Sequence, residues 1–124
     1  MKNFILIILS IFLVLPAYAF NREEASGIQL YKKINPAIVC VDSQISEGLS
    51  CGTGCIIDKS GIILTSAHVI DEGNSIVITM YNGQNYTANV IKKLGQNKDI
   101  ALLKINSPQE FKTVKFGDSE KIKV

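Results

Sequence analysis

The fold is decided by one stretch, "GTGCIIDKSGIILTSAHVI", residues 52–70. Two short apolar runs, residues 54–58 and 62–65, flank Lys59-Ser60-Gly61. Isoleucines suit the pleated, half-buried surface of a sheet, and a short polar segment ending in glycine is turn chemistry. The stretch therefore reads as two strands joined by a tight turn. Small residues follow the second strand, and then His68, the single histidine of the chain. A lone histidine beside an apolar run is ordinarily a hydrogen-bonded core residue. Taken alone, the stretch does not separate that role from a chemical one.

Outward from this stretch the pattern stays β-like. Residues 37–41 form one short run and residues 75–80 another, the latter closed by Asn82-Gly83, the strongest hairpin signal in the chain. Residues 86–93 place Tyr86, Ala88 and Val90 on one face before Leu94-Gly95. Residues 100–105 are nearly all apolar and predict a buried strand, and residues 113–116 are a candidate last strand. Before the β region, Ala25, Ile28, Tyr31 and Ile34 recur every three residues and Asn35-Pro36 ends the pattern. That predicts a short helix over residues 21–34. Short strands separated by glycine and asparagine turns indicate a sandwich or barrel. Six or seven of them in one small unit fit an all-β antiparallel barrel, whose closure removes exposed edges.

Residues 1–19 have a different character. Lys2 precedes an apolar run over residues 4–15, broken only by Ser10, and Pro16 leads into Ala17-Tyr18-Ala19. This is the layout of a secretory signal with its small-residue cleavage site. The run falls short of the roughly 20 residues that span a bilayer, so no stable membrane anchor is expected after cleavage. No cysteine stands at the cleavage point, where residue 20 is Phe20, which argues against a lipoprotein. Cleavage would leave about 105 residues, enough for one small core. The protein is expected to be exported, to the periplasm or the medium. Lys+Arg number 13 against 11 Asp+Glu, and Lys92-Lys93 reads as a solvated strand end, so no nucleic-acid partner is expected.

The three cysteines, Cys40, Cys51 and Cys55, all follow the signal segment, and export allows disulfides to persist. If residues 37–41 and 54–58 form a hairpin, Cys40 lies opposite Cys55 and Cys51 stays free. The register is open, and a Cys40–Cys51 bridge or three small buried thiols are alternatives. Cysteines three residues apart with one distant histidine are a weak zinc signal, and no metal or cofactor is expected.

Four ordered blocks, "GTGCIID", "GIILTSAHVI", "DIALLKI" and "VKFGDSEKIKV", resemble the trypsin-like serine proteases, most of all their HtrA branch. The resemblance covers most of residues 37–124. It implies three segments: a signal peptide over 1–19, a helical segment over 20–36, and over 37–124 the first, six-stranded barrel of a two-barrel peptidase. It also implies roles. His68 matches the general base and Asp99 the acid that orients it. A serine hydroxyl needs an adjacent base to become a nucleophile, imidazole titrates near neutrality, and a carboxylate on its other nitrogen sets the tautomer. Asp71, close to His68, reads instead as a turn or helix-end residue, and Asp58 and Asp118 as turn residues.

The nucleophilic serine of the family sits in a G-[DN]-S-G-G context. "GDSE", residues 117–120, is a decoy, because Glu120 and Lys121 stand where glycines would form the oxyanion hole. Ser119 matches a G-D-S segment that the family carries near the end of its first barrel, and Ser66 belongs to the small-residue motif before the base. The expectation is an amino-terminal part of an exported serine endopeptidase, lacking its nucleophile and inactive alone. Its partner would be a protein or peptide substrate once a second barrel completes the site. The alternatives are a non-catalytic exported binding module, or one half of a split protease.

Overall fold

The computed structural model describes residues 22–70, 75–95 and 97–123. The signal-peptide reading over 1–19 and the reading of Asp71 lie outside the described residues. The first described element is helix α1, Arg22–Ile34. Glu23 and Glu24 occupy its first turn and Lys32 and Lys33 its last, charges that complement the helix dipole. None of its residues is buried. A 3-10 turn over Asn35–Ala37, with proline at its start, hands the chain to the sheet.

Six strands follow: β1 Ile38–Ile45, β2 Gly48–Asp58, β3 Ile62–Thr65, β4 Ser75–Thr79, β5 Asn85–Leu94 and β6 Ile100–Ile105. All pairings are antiparallel, in the order β1-β2-β3-β6-β5-β4, and β4 returns to β1 to close a barrel. The period-two rule of strands sorts the side chains. Val39 and Val41 of β1, Ile63 of β3, Ile76 and Ile78 of β4, and Ala101, Leu103 and Ile105 of β6 all point inward. Even β6, apolar almost throughout, alternates between fully buried and half-buried positions.

Two turns follow the sequence signals closely. In the β2–β3 turn, Gly61 donates its N–H to Asp58 O at 2.9 Å and Ser60 donates to Asp58 Oδ1 at 2.8 Å. Those contacts from Ser60 hold the Asp58 carboxyl below the usual aspartate range. Gly61 has φ +89°, and a Cβ there would stand 3.0 Å from Ile105 Cβ and 3.1 Å from the Phe111 ring. In the β4–β5 hairpin, Gly83 has φ +82° and its N–H reaches Met80 O at 2.9 Å. Phe111 packs into the core and meets Tyr86 edge-on, with ring centroids 5.5 Å apart.

Three sequence expectations are corrected. Residues 113–116 form no strand; Val114 N–H makes a single bond to Ile56 O at 2.9 Å. Strands β1 and β2 run further toward each other than the apolar runs indicate, because backbone pairing carries Asp42-Ser43-Gln44 and the glycine-rich start of β2. That longer hairpin also sets the cysteine register. Ile45 pairs with Gly48, so Cys40 faces Thr53 and Ile38 faces Cys55. Cys40 and Cys55 are therefore not cross-strand partners, and all three thiols are free. Cys51 faces Asp42, whose hydrogen bond and charge push the thiol pKa up.

Candidate active site

Strands β3 and β6 are neighbours, with Thr65 at the end of β3 paired to Ala101 near the start of β6. Whatever follows β3 therefore meets whatever precedes β6, at one rim of the barrel. Thr65 is itself buried, and its hydroxyl donates to Thr53 O on β2 at 3.0 Å. Ser66 stays extended, and Ala67–Val69 form a single 3-10 turn. Val69 N–H donates to Ser66 O at 3.3 Å and Ile70 N–H to Ala67 O at 3.0 Å. Three residues per turn bring Val69 and Ile70 into the core and leave His68 on the outside.

Asp99 immediately precedes β6, so its backbone is anchored by a buried strand. Its carboxylate takes His68 at two points. Oδ1 accepts the His68 backbone N–H at 2.8 Å, and Oδ2 lies 2.5 Å from Nδ1 of the ring. The Asp99 pKa is lowered, first by the backbone N–H of His68 and then by its ring, with a smaller contribution from the Ala67 N–H. With Nδ1 committed to the carboxylate, Nε2 is the ring nitrogen left to exchange a proton. The pair is open to solvent: His68 is 71 % exposed and Asp99 52 %. His68 is thus no core histidine.

A cleft adjoins the pair, walled by Ala67, Leu94, Gly95, Asn97, Lys98 and Asp99. Of the serines considered from sequence, Ser66 precedes the His68 turn and its carbonyl accepts the Val69 N–H. Ser119 begins an exposed 3-10 turn, where Asp118 accepts the Glu120 N–H at 3.1 Å and pairs with Lys121 at 3.2 Å. Among the described residues no serine hydroxyl is hydrogen-bonded to the His68 ring. Nor, among them, does any group of three or more His, Cys, Asp or Glu side chains form a metal cage.

Sequence reasoning brought out His68 and Asp99, which the fold does bring together. It missed the supports. The Thr65–Thr53 bond and the Ala67 N–H carry no motif, because each has a backbone group as a partner: the Thr65 hydroxyl donates to a main-chain carbonyl, and Ala67 acts through its own N–H. Gly52 carries no chemical motif either. Its would-be Cβ lies 2.5 Å from Val69 Cγ2, directly beneath the turn that carries His68.

The profile of the trypsin-like peptidase domain matches residues 52–124. The periplasmic pH-dependent serine endoprotease DegQ of Escherichia coli is 39 % identical over 119 residues, which is 90 % of this chain and 26 % of that protein. A probable periplasmic serine endoprotease, DegP-like, of Bartonella henselae is 34 % identical over 105 residues, or 85 % of this chain and 19 % of that one. The crystal structure of a serine endoprotease from Yersinia pestis superposes with a TM-score of 0.65 at 28 % identity, covering 73 % of this chain and 32 % of the other. The chain thus spans about a quarter or less of the length of these curated relatives. Matched sequence and matched barrel agree, and the chain belongs to the trypsin-like peptidase family, in its HtrA branch.

Proposed function

We propose that this chain supplies the base-bearing half of an exported serine endopeptidase acting on protein substrates. His68 is the general base and Asp99 its orienting acid. The observation that carries this reading is the two-point grip of Asp99 on His68, through the backbone N–H at 2.8 Å and the ring at 2.5 Å. Such a grip fixes the imidazole tautomer and stabilises the imidazolium formed when Nε2 takes a hydroxyl proton. An exposed histidine held in this way serves no packing purpose.

The nucleophilic serine and the oxyanion donors come, on this reading, from polypeptide beyond the described residues. That polypeptide would also cover the pair and exclude water, which strengthens its electrostatics. The 124 residues by themselves are then expected not to cleave peptides, since both nucleophile and oxyanion hole are required for most of the rate acceleration. The relatives named periplasmic and the signal-like residues 1–19 support export to the periplasm.

The test is casein hydrolysis by the chain alone and by the chain joined to the second barrel of a relative. The joined protein is expected to be active, and Asp99→Asn to lower its kcat by about 10⁴-fold. Hydrolysis by the chain alone that disappears in His68→Ala would refute the division of labour. Activity of the joined protein that survives His68→Ala would refute the assignment of the base.

A further inference from the structure

His68 is held from two sides, and only one of them is polar. On one side Asp99 binds the backbone and ring of His68. On the other, the next residue, Val69, is 4 % exposed and lies on β2. Its isopropyl group rests on the bare Cα of Gly52. A Cβ at position 52 would stand 2.5 Å from Val69 Cγ2, 2.9 Å from Cγ1 and 3.3 Å from Cβ. Carbon atoms in contact prefer about 3.5–4.0 Å, so all three distances are too short. Val is branched at Cβ and stiff at χ1, so a rotamer change does not clear the clash. The turn itself has to lift.

Lifting the turn moves His68, because Ala67–Val69 is one 3-10 turn with His68 at its middle. The strand beneath offers little give, since Gly52 pairs with Val41, a fully buried core residue. We infer that Gly52 is a positioning residue: its missing side chain sets the height of Val69, and through it the distance from His68 to Asp99. This rests on the reading of His68 as base and Asp99 as its orienting acid. The three atoms nearest to a Cβ at position 52 all belong to Val69, so Gly52 acts through the turn.

Gly54 provides the contrast. It lies on the same strand, and a Cβ there would meet Ile63 Cγ2 at 2.6 Å and Val41 Cγ2 at 3.1 Å. Those contacts belong to the barrel interior and not to the His68 turn. Both glycines are therefore packed too tightly for a methyl group, but only one supports the pair.

The experiment follows the pair by NMR in the full 124-residue chain, with no need for hydrolysis. Two signals are read: titration of the Asp99 carboxyl carbon, and hydrogen exchange of the His68 backbone amide. Gly52→Ala is expected to move the Asp99 titration up toward the ordinary aspartate range and to speed His68 amide exchange about tenfold. Adding Val69→Ala removes the contacts at 2.5 and 2.9 Å and leaves only the one at 3.3 Å, which a shift of a few tenths of an ångström relieves, so it is expected to restore both. Gly54→Ala is expected to lower stability while leaving the Asp99 titration where it is in the unaltered chain. A folded Gly52→Ala protein with unchanged Asp99 titration overturns the inference, as does an equal shift in Gly54→Ala. If Gly52→Ala does not fold, the double variant decides. Restored folding with the original Asp99 titration supports the inference, and a folded double variant with a shifted titration overturns it. Because neither signal depends on peptide cleavage, a failure here is distinct from a failure of the proposed protease activity.

Discussion

The Asp99 carboxylate is stabilised by the backbone N–H of His68, its largest individual cause, and by the imidazole, through both a hydrogen bond and its charge. The two contributions separate on mutation. In His68→Ala the backbone N–H remains, so Asp99 is expected to titrate still below the ordinary aspartate range, though higher than before. Carboxyl-carbon NMR checks this, and a full return to the ordinary range would show that the ring dominates. The same shift gives a pH dependence. The folded-state pKa of Asp99 lies below its unfolded value, so the unfolded chain binds the proton more readily. The stabilisation from Asp99 is present above the unfolded pKa and is lost as pH falls through the folded one. Acid unfolding followed by circular dichroism is expected to be less steep in Asp99→Asn. The pair is well exposed, so solvent screens the effect and it is expected to be small.

At the scale of elements, the turns were the most legible parts of the sequence. Lys59-Ser60-Gly61 and Asn82-Gly83 each carry a glycine at positive φ, a conformation that other residues adopt at a cost. Gly61 adds crowding against Ile105 and Phe111. Gly61→Ala is therefore expected to cost about 1–3 kcal/mol, measured by urea denaturation. A loss below about 0.5 kcal/mol would show that the turn relaxes. Strand lengths were less legible. Apolar runs mark where a strand is buried, but β2 begins at Gly48 and holds two further glycines before its apolar part. Its pairing with β1 is a backbone matter, invisible to hydropathy. The same blind spot misplaced the register and put Cys40 opposite Cys55. At residues 113–116 the error ran the other way: a candidate last strand was placed where the segment makes one bond to the barrel.

For the whole molecule, closure of β4 onto β1 leaves the barrel without a free sheet edge. The core is small and aliphatic, centred on Ile56, Ile63, Ile78 and Leu103. Leu103→Ala is expected to cost about 2–5 kcal/mol, again by urea denaturation, and a loss under about 1 kcal/mol would mean that the core collapses around the void. Apolar surface nevertheless remains outside. Phe116 is 72 % exposed and Ile122 71 % in the segment after the barrel. Uncovered apolar surface of this kind promotes association. Sedimentation velocity of the chain is expected to show self-association, reduced by Phe116→Ser with Ile122→Ser. A compact monomer at all concentrations would count against it.

The sequence by itself determined the class of fold, the two glycine turns, and the two side chains worth bringing together. Each is written in short stretches: in strand periodicity, in turn glycines, or in the separate blocks that carry His68 and Asp99. Only the tertiary structure decided that His68 and Asp99 meet. The antiparallel pairing of β3 with β6 places the end of one strand beside the start of the other, and register between distant strands is set by the packed core. The same holds for Gly52. Its value lies in what it lacks, and that becomes visible only when Val69 is seen resting on it.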